Sequence, residues 1–63
     1  MTLNKNSVYS KRRIVNDFYI WMDLNAYNYD EAADRVLEYI SGIEKSNLNI
    51  EDKNKIRHIL FQI

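Results

Sequence analysis

The sequence contains no cysteine and no proline, a single glycine and a single histidine. Without cysteine there is no disulfide and no thiolate metal ligand. One imidazole with no second His cannot make a structural zinc site, and no cofactor is expected. The absence of Cys fits a reducing compartment, so the expected location is the cytoplasm, that of the host if the gene belongs to a phage. No segment approaches the roughly 20 apolar residues of a membrane span, because Asn16, Asp17 and Asp23 interrupt the most apolar stretch. No apolar run follows Lys11, Arg12 and Arg13, so neither a secretory signal nor membrane association is expected. Period-two alternation and Asn-Gly or Asp-Gly turns are also missing, which argues against strands and hairpins.

Net charge is missing too, since nine bases and nine acids cancel, but the charges are unevenly placed. Residues 1–13 carry Lys5, Lys11, Arg12 and Arg13 with no acid. Residues 14–44 carry seven acids, Asp17, Asp23, Asp30, Glu31, Asp34, Glu38 and Glu44, against Arg35 alone. The remainder is mildly basic. Such segregation can steer association.

What the chain does have is aliphatic and aromatic side chains at helical spacing. In Ile14–Leu24, at about 100° per residue, Ile14, Val15, Phe18, Trp21 and Met22 share one broad face. Ile20 and Leu24 project roughly opposite, although a surface helix of a monomer normally shows a single apolar side. Asn28 followed by Glu31 reads as a capping pair for a second helix. In that helix Tyr29, Ala32, Ala33, Val36, Leu37, Ile40 and Ile43 lie on one side. Gly42 sits where this helix could be stopped, although Ile43 keeps the apolar period. Asn49 is a cap for a third helix with Glu51 and Asp52 in its first turn. Ile56, Ile59, Leu60 and Ile63 form its stripe, with Ile50 and Phe61 off to one flank; a terminal apolar turn must dock or fray.

These patterns predict one all-α, three-helix domain spanning 1–63, with helices near 7–26, 28–45 and 49–62 and a frayed start at 1–6. Either Ser7 or Ser10 can cap the first helix. A cap at Ser10 would put Lys11–Arg13 at the positive end of the helix dipole, which favours the earlier start with Val8 and Tyr9 inside the helix. The expected core is Ile14, Phe18, Trp21, Met22, Ala33, Val36, Leu37, Ile40, Ile56, Ile59 and Leu60. A 63-residue chain buries only about 60% of its unfolded surface. With disulfides and metals excluded, association is the remaining way to strengthen so small a fold.

Function is less legible. No Gly-rich phosphate loop, nucleophile elbow or metal-ligand spacing occurs. The carboxylates follow the spacing of a solvated helix face, not of an acid–base pair held in different environments. A non-enzyme is expected. Aromatic density points instead to an interface, because Tyr and Trp supply large contact area with a polar handle. The candidate protein interface is Tyr19, Ile20, Leu24 and Tyr27, serving a protein partner and, through a two-fold contact, a homodimer. The expected function is an inhibitor or regulator of a larger host protein. Abundant Asn, Ile, Tyr and Lys suit an AT-rich genome, such as that of a phage or mobile element. Two alternatives stand beside it. One is a small DNA-binding regulator contacting phosphates through Lys11, Arg12 and Arg13, although neutral overall charge argues against it. The other is a structural subunit of a larger assembly.

Overall fold

The structure, a computed structural model, describes residues 9–63 and contains three α-helices. They are α1 (Lys11–Leu24), α2 (Ala32–Glu44), entered through a 3-10 turn at Tyr29–Glu31, and α3 (Ile50–Leu60). No strand occurs among the described residues. Sequence-based boundaries hold to within a residue or two, except at the start of α1 and at the start of α2, where the 3-10 turn Tyr29–Glu31 occupies the positions expected to open the α-helix. Tyr9 and Ser10 stand outside the helix, while the expected Ser7 cap, Val8 and the 1–6 start lie outside the described residues.

The helix ends follow local chemistry. Ser10 is extended, and its Oγ accepts from the Arg13 N–H at 3.1 Å. Lys11, Arg12 and Arg13 therefore do occupy the first turn with no acid beside them, an arrangement that costs roughly 0.3–1 kcal/mol per charge at low ionic strength. Part of this is offset locally. Arg13 Nε reaches Asp17 at 3.4 Å, and its guanidinium lies 5.0 Å from the Tyr9 ring centroid. The Asn28–Glu31 capping pair forms, with the Asn28 N–H donating to the Glu31 carboxylate at 3.1 Å. Asn49 caps α3 by accepting from the Asp52 N–H at 2.9 Å.

The C-terminus of α1 is a Schellman turn. Tyr27 N–H donates to the Met22 carbonyl and Ala26 N–H to that of Asp23. Ala26 takes the left-handed position, φ 59°, that usually belongs to glycine. Meanwhile Gly42 does not stop α2; the helix runs through it to Glu44. The stop comes at Lys45, and Lys53 from α3 donates to the last helical carbonyl, that of Glu44, at 2.9 Å.

The core repeats every fourth residue. Ile14, Phe18 and Met22 of α1 meet Ala32, Val36 and Ile40 of α2 and Ile56 and Leu60 of α3, all buried. Trp21 and Ile59, expected inside, are only partly buried and pack against the rim of this cluster. Ala33 and Leu37, also expected inside, are exposed, and Ala32 is buried instead. The apolar positions of α2 from Ala32 round to Leu37 cover about 140° of the helix, more than its two neighbours can cover. The helix settles with Val36 innermost and Tyr39 and Ile43 sealing the far flank. Ala32 then faces inward, and Leu37 remains 67% exposed.

Two substitutions test the backbone assignment. Ala26→Gly relieves a left-handed alanine and is expected to stabilise the domain by about 0.5–1 kcal/mol. Gly42→Ala should gain about 0.5–1 kcal/mol, because a Cβ there meets nothing within 4 Å. At about 4–8 °C per kcal/mol for so small a domain, thermal unfolding followed by circular dichroism resolves both. A lower midpoint for Ala26→Gly would contradict the Schellman turn.

Candidate interaction surfaces

A layer of rings lies over the junction of α1 and α2. Phe18 is its centre, 5.9 Å from Trp21 and 5.3 Å from Tyr39 between centroids. Trp21 in turn lies 5.2 Å from Tyr39 and 5.5 Å from Tyr27. Tyr27 is then clamped from outside. The Arg35 guanidinium sits 3.8 Å above its ring centroid, and its hydroxyl donates to Glu38 at 3.0 Å. Arg35 itself reaches Glu31 at 3.1 Å and Glu38 at 3.2 Å. Its Nε is buried without a hydrogen-bond acceptor, and the face of the Tyr27 ring is the remaining electrostatic contact.

Five groups in this region titrate away from their ordinary values, Arg35 among them, raised chiefly by its hydrogen bond to Glu31. The Asn28 N–H and then Arg35 hold Glu31 below the usual carboxylate range. The hydrogen bond to Glu38 pushes the Tyr27 phenol up, and that to Asp23 does the same for Tyr29. Burial raises Tyr39. Tyr39 lines a cavity beside Asp17, while Tyr27, Tyr29, Glu31 and Arg35 are tied to one another or to Asp23, Asn28 and Glu38. They fix a corner of the fold.

The expected interface residues separate into two kinds. Ile20 and Leu24 lie outside the core, 47% and 81% exposed. Tyr19 and Tyr27 are half-buried. Tyr19 packs its ring 5.0 Å from that of Tyr29, whose hydroxyl donates to Asp23 at 2.9 Å. Tyr27 belongs to the clamp on the α2 side. The two tyrosines therefore flank the aliphatic pair from opposite sides.

Of the basic residues, Lys11, Arg12 and Arg13 are all exposed in the first turn of α1. They share an end of the bundle with Asp17, Glu44, Glu51 and Asp52, so no uniformly basic face results. His58 is exposed, with a ring nitrogen 3.0 Å from the Gln62 amide. Among the described residues no group of three His, Cys, Asp or Glu converges as a metal site would require. No helix there is long and apolar enough to cross a membrane.

Two concave features complete the surface. A cavity of about 130 Å³ lies among Ile14, Tyr39, Ile43, Leu48 and Ile56, with Tyr9 and Asp17 at its polar side. A shallower groove of about 220 Å³ runs between α2 and the end of α3, lined by Ala33, Val36, Leu37, Leu60, Phe61 and Ile63. Sequence reasoning did not assemble this groove, because it assigned Ala33 and Leu37 to the core. The available signal was an apolar arc on α2 too wide for one stripe.

Compared with protein-family models, with curated proteins and with solved structures, the chain matches none. What the structure defines is a small all-α three-helix domain with well-exposed apolar patches.

Glu31 gives this corner a pH signature. Because its folded pKa is depressed, its contribution to stability is complete above the ordinary value of about 4.3 and is lost as pH falls through the folded value. Glu31→Gln should therefore lower the thermal midpoint near pH 6, and the difference from the parent should shrink steadily toward about pH 2. A difference independent of pH would show that Glu31 is not tied to Asn28 and Arg35.

Proposed function

We propose that this chain is a small, non-catalytic protein-binding module, an inhibitor or regulator of a larger protein in the cytoplasm of its host cell, encoded by a phage or mobile element. The observation that carries the reading is the exposure of Ile20 and Leu24 on the back of α1, outside a core that is complete without them. An apolar pair one turn apart on a rigid helix suits docking to another protein's surface. Burying both supplies about 3–5 kcal/mol at about 25 cal/mol per Å², before the cost of association is subtracted. A two-fold contact between copies would use the same patch twice, so homodimerisation belongs to this reading.

DNA binding through Lys11, Arg12 and Arg13 has less support. Arg13 is engaged by Asp17, and phosphate-driven binding needs a concentration of positive charge that a neutral chain does not supply.

The double change Ile20→Ser, Leu24→Ser tests the proposal. Expected is a helical domain with an unchanged circular dichroism spectrum that no longer self-associates in sedimentation equilibrium and no longer retains a partner from the native host cell. Loss of the helical signal would place the pair in the core and overturn the reading. Retention of the parent chain on DNA at about 150 mM salt, abolished by added salt, would favour the nucleic-acid alternative.

A further inference from the structure

Resting on the reading of the chain as a binding module, we infer that the Leu37–Phe61–Ile63 groove receives a basic amphipathic helix of the partner. The groove is apolar at its floor, through Val36 and Leu60, and along its exposed edges, with Leu37 67%, Phe61 55% and Ile63 45% exposed. It lies between two packed helices, the geometry into which an amphipathic helix lays its apolar face.

Charge selects the occupant. The groove joins the first half of α2 to the last turn of α3, at the end of the bundle where α1 also finishes. That end carries Asp23, Asp30, Glu31, Asp34 and Glu38 against Arg35, with Arg57, which is paired to Glu44, and His58 in the last turn of α3. Glu31 and Glu38 are bound by Arg35, and Asp23 accepts from Tyr29. Asp30 and Asp34 have no ion-pair partner among the described residues. Asp30 precedes Ala33 by three residues and Asp34 precedes Leu37 by three, so both rim the groove along the outer side of α2.

An apolar groove with an unneutralised acidic rim complements leucine-like side chains flanked by lysine or arginine. It repels nucleic acid and acidic peptides. A second copy docked by a two-fold axis through this end would set the same carboxylates against each other. The opposite end of the chain offers Ile50, with Lys45 and Lys53, but Glu44, Glu51 and Asp52 dilute its charge. A head-to-tail contact of that kind would also propagate without closing.

The test titrates the isotopically labelled full chain with a synthetic amphipathic helix of leucine and lysine, followed by backbone amide NMR. A matched helix of leucine and glutamate is the control. Expected are shifts centred on Ala33, Leu37, Phe61 and Ile63 with the lysine peptide and none with the glutamate peptide. Leu37→Ser, and separately the pair Asp30→Asn, Asp34→Asn, should each weaken binding about tenfold or more while the spectrum stays that of a folded chain. Equal response to both peptides, shifts centred on Ile20 and Leu24, or groove shifts that depend on protein concentration alone would each overturn the inference. If neither peptide binds while Ile20→Ser, Leu24→Ser still abolishes partner retention, the groove inference fails and the binding-module reading stands. If that double variant also retains its partner, both fail.

Discussion

Phe18 is the side chain on which the arrangement of the helices depends. It is fully buried, and its ring touches Trp21 and Tyr39 while its neighbours Ile14 and Met22 extend the same face along α1. Among the described residues the core has eight buried side chains, which leaves little redundancy. Removing one large member costs about 3–5 kcal/mol, comparable with all that a core of this size supplies. The three helices must therefore present their best-packing faces to Phe18 at once. Whatever apolar surface does not fit that demand is left outside. Leu24 and Leu37 are exposed for this reason: α1 and α2 each carry more apolar positions than a neighbour is available to cover.

Which parts of this were legible in the sequence follows from how local their causes are. The caps at Asn28–Glu31 and Asn49 were readable because a side chain there satisfies an N–H two or three residues away, whatever the rest of the fold does. The face of α1 was readable from spacing, and so was the exclusion of Ile20 and Leu24 from it. The rotation of α2 was not. Ala32 and Ala33 are chemically identical, and only the position of α3 decides which one faces inward. Start signals were misleading for a related reason. The dipole argument against placing Lys11–Arg13 in the first turn was sound, but its magnitude is small enough for the Ser10 cap, Asp17 and Tyr9 to outweigh it. The left-handed Ala26 had no signal at all, since the residue that normally announces that conformation is absent. As a result the groove, which needs Leu37 outside and Phe61 and Ile63 beside it, could not be assembled from the sequence.

The segregation of charge acquires a spatial meaning in the fold. Antiparallel packing brings the acidic middle of the chain to one end of the bundle, together with the end of α3. At the other end the basic start of α1 meets a mixture of both signs. The net charge of zero thus conceals one pole with a clear sign and one without. A field of this kind contributes more to the rate and selectivity of encounter than to affinity, and it fades at high ionic strength. On the proposed reading, affinity would come from the apolar side chains that the same pole exposes.

Stiffness decides whether those side chains can be used efficiently. The link from α1 to α2 is seven residues, the last three being the 3-10 turn Tyr29–Glu31, and each of the four before that turn is held. Asn25 donates its side-chain amide to the Trp21 carbonyl at 2.8 Å, Ala26 is locked left-handed, Tyr27 is fixed between Trp21 and Arg35, and Asn28 is tied to Glu31. Leu24 stands just before this corner and Leu37 little more than one turn into the helix that follows it. Leu24 and Leu37 therefore stand on the two arms of one braced corner. On the binding-module reading, a partner that engages Leu24 or Leu37 meets helical backbone that is already hydrogen-bonded. Such pre-organisation lowers the entropic cost of an association.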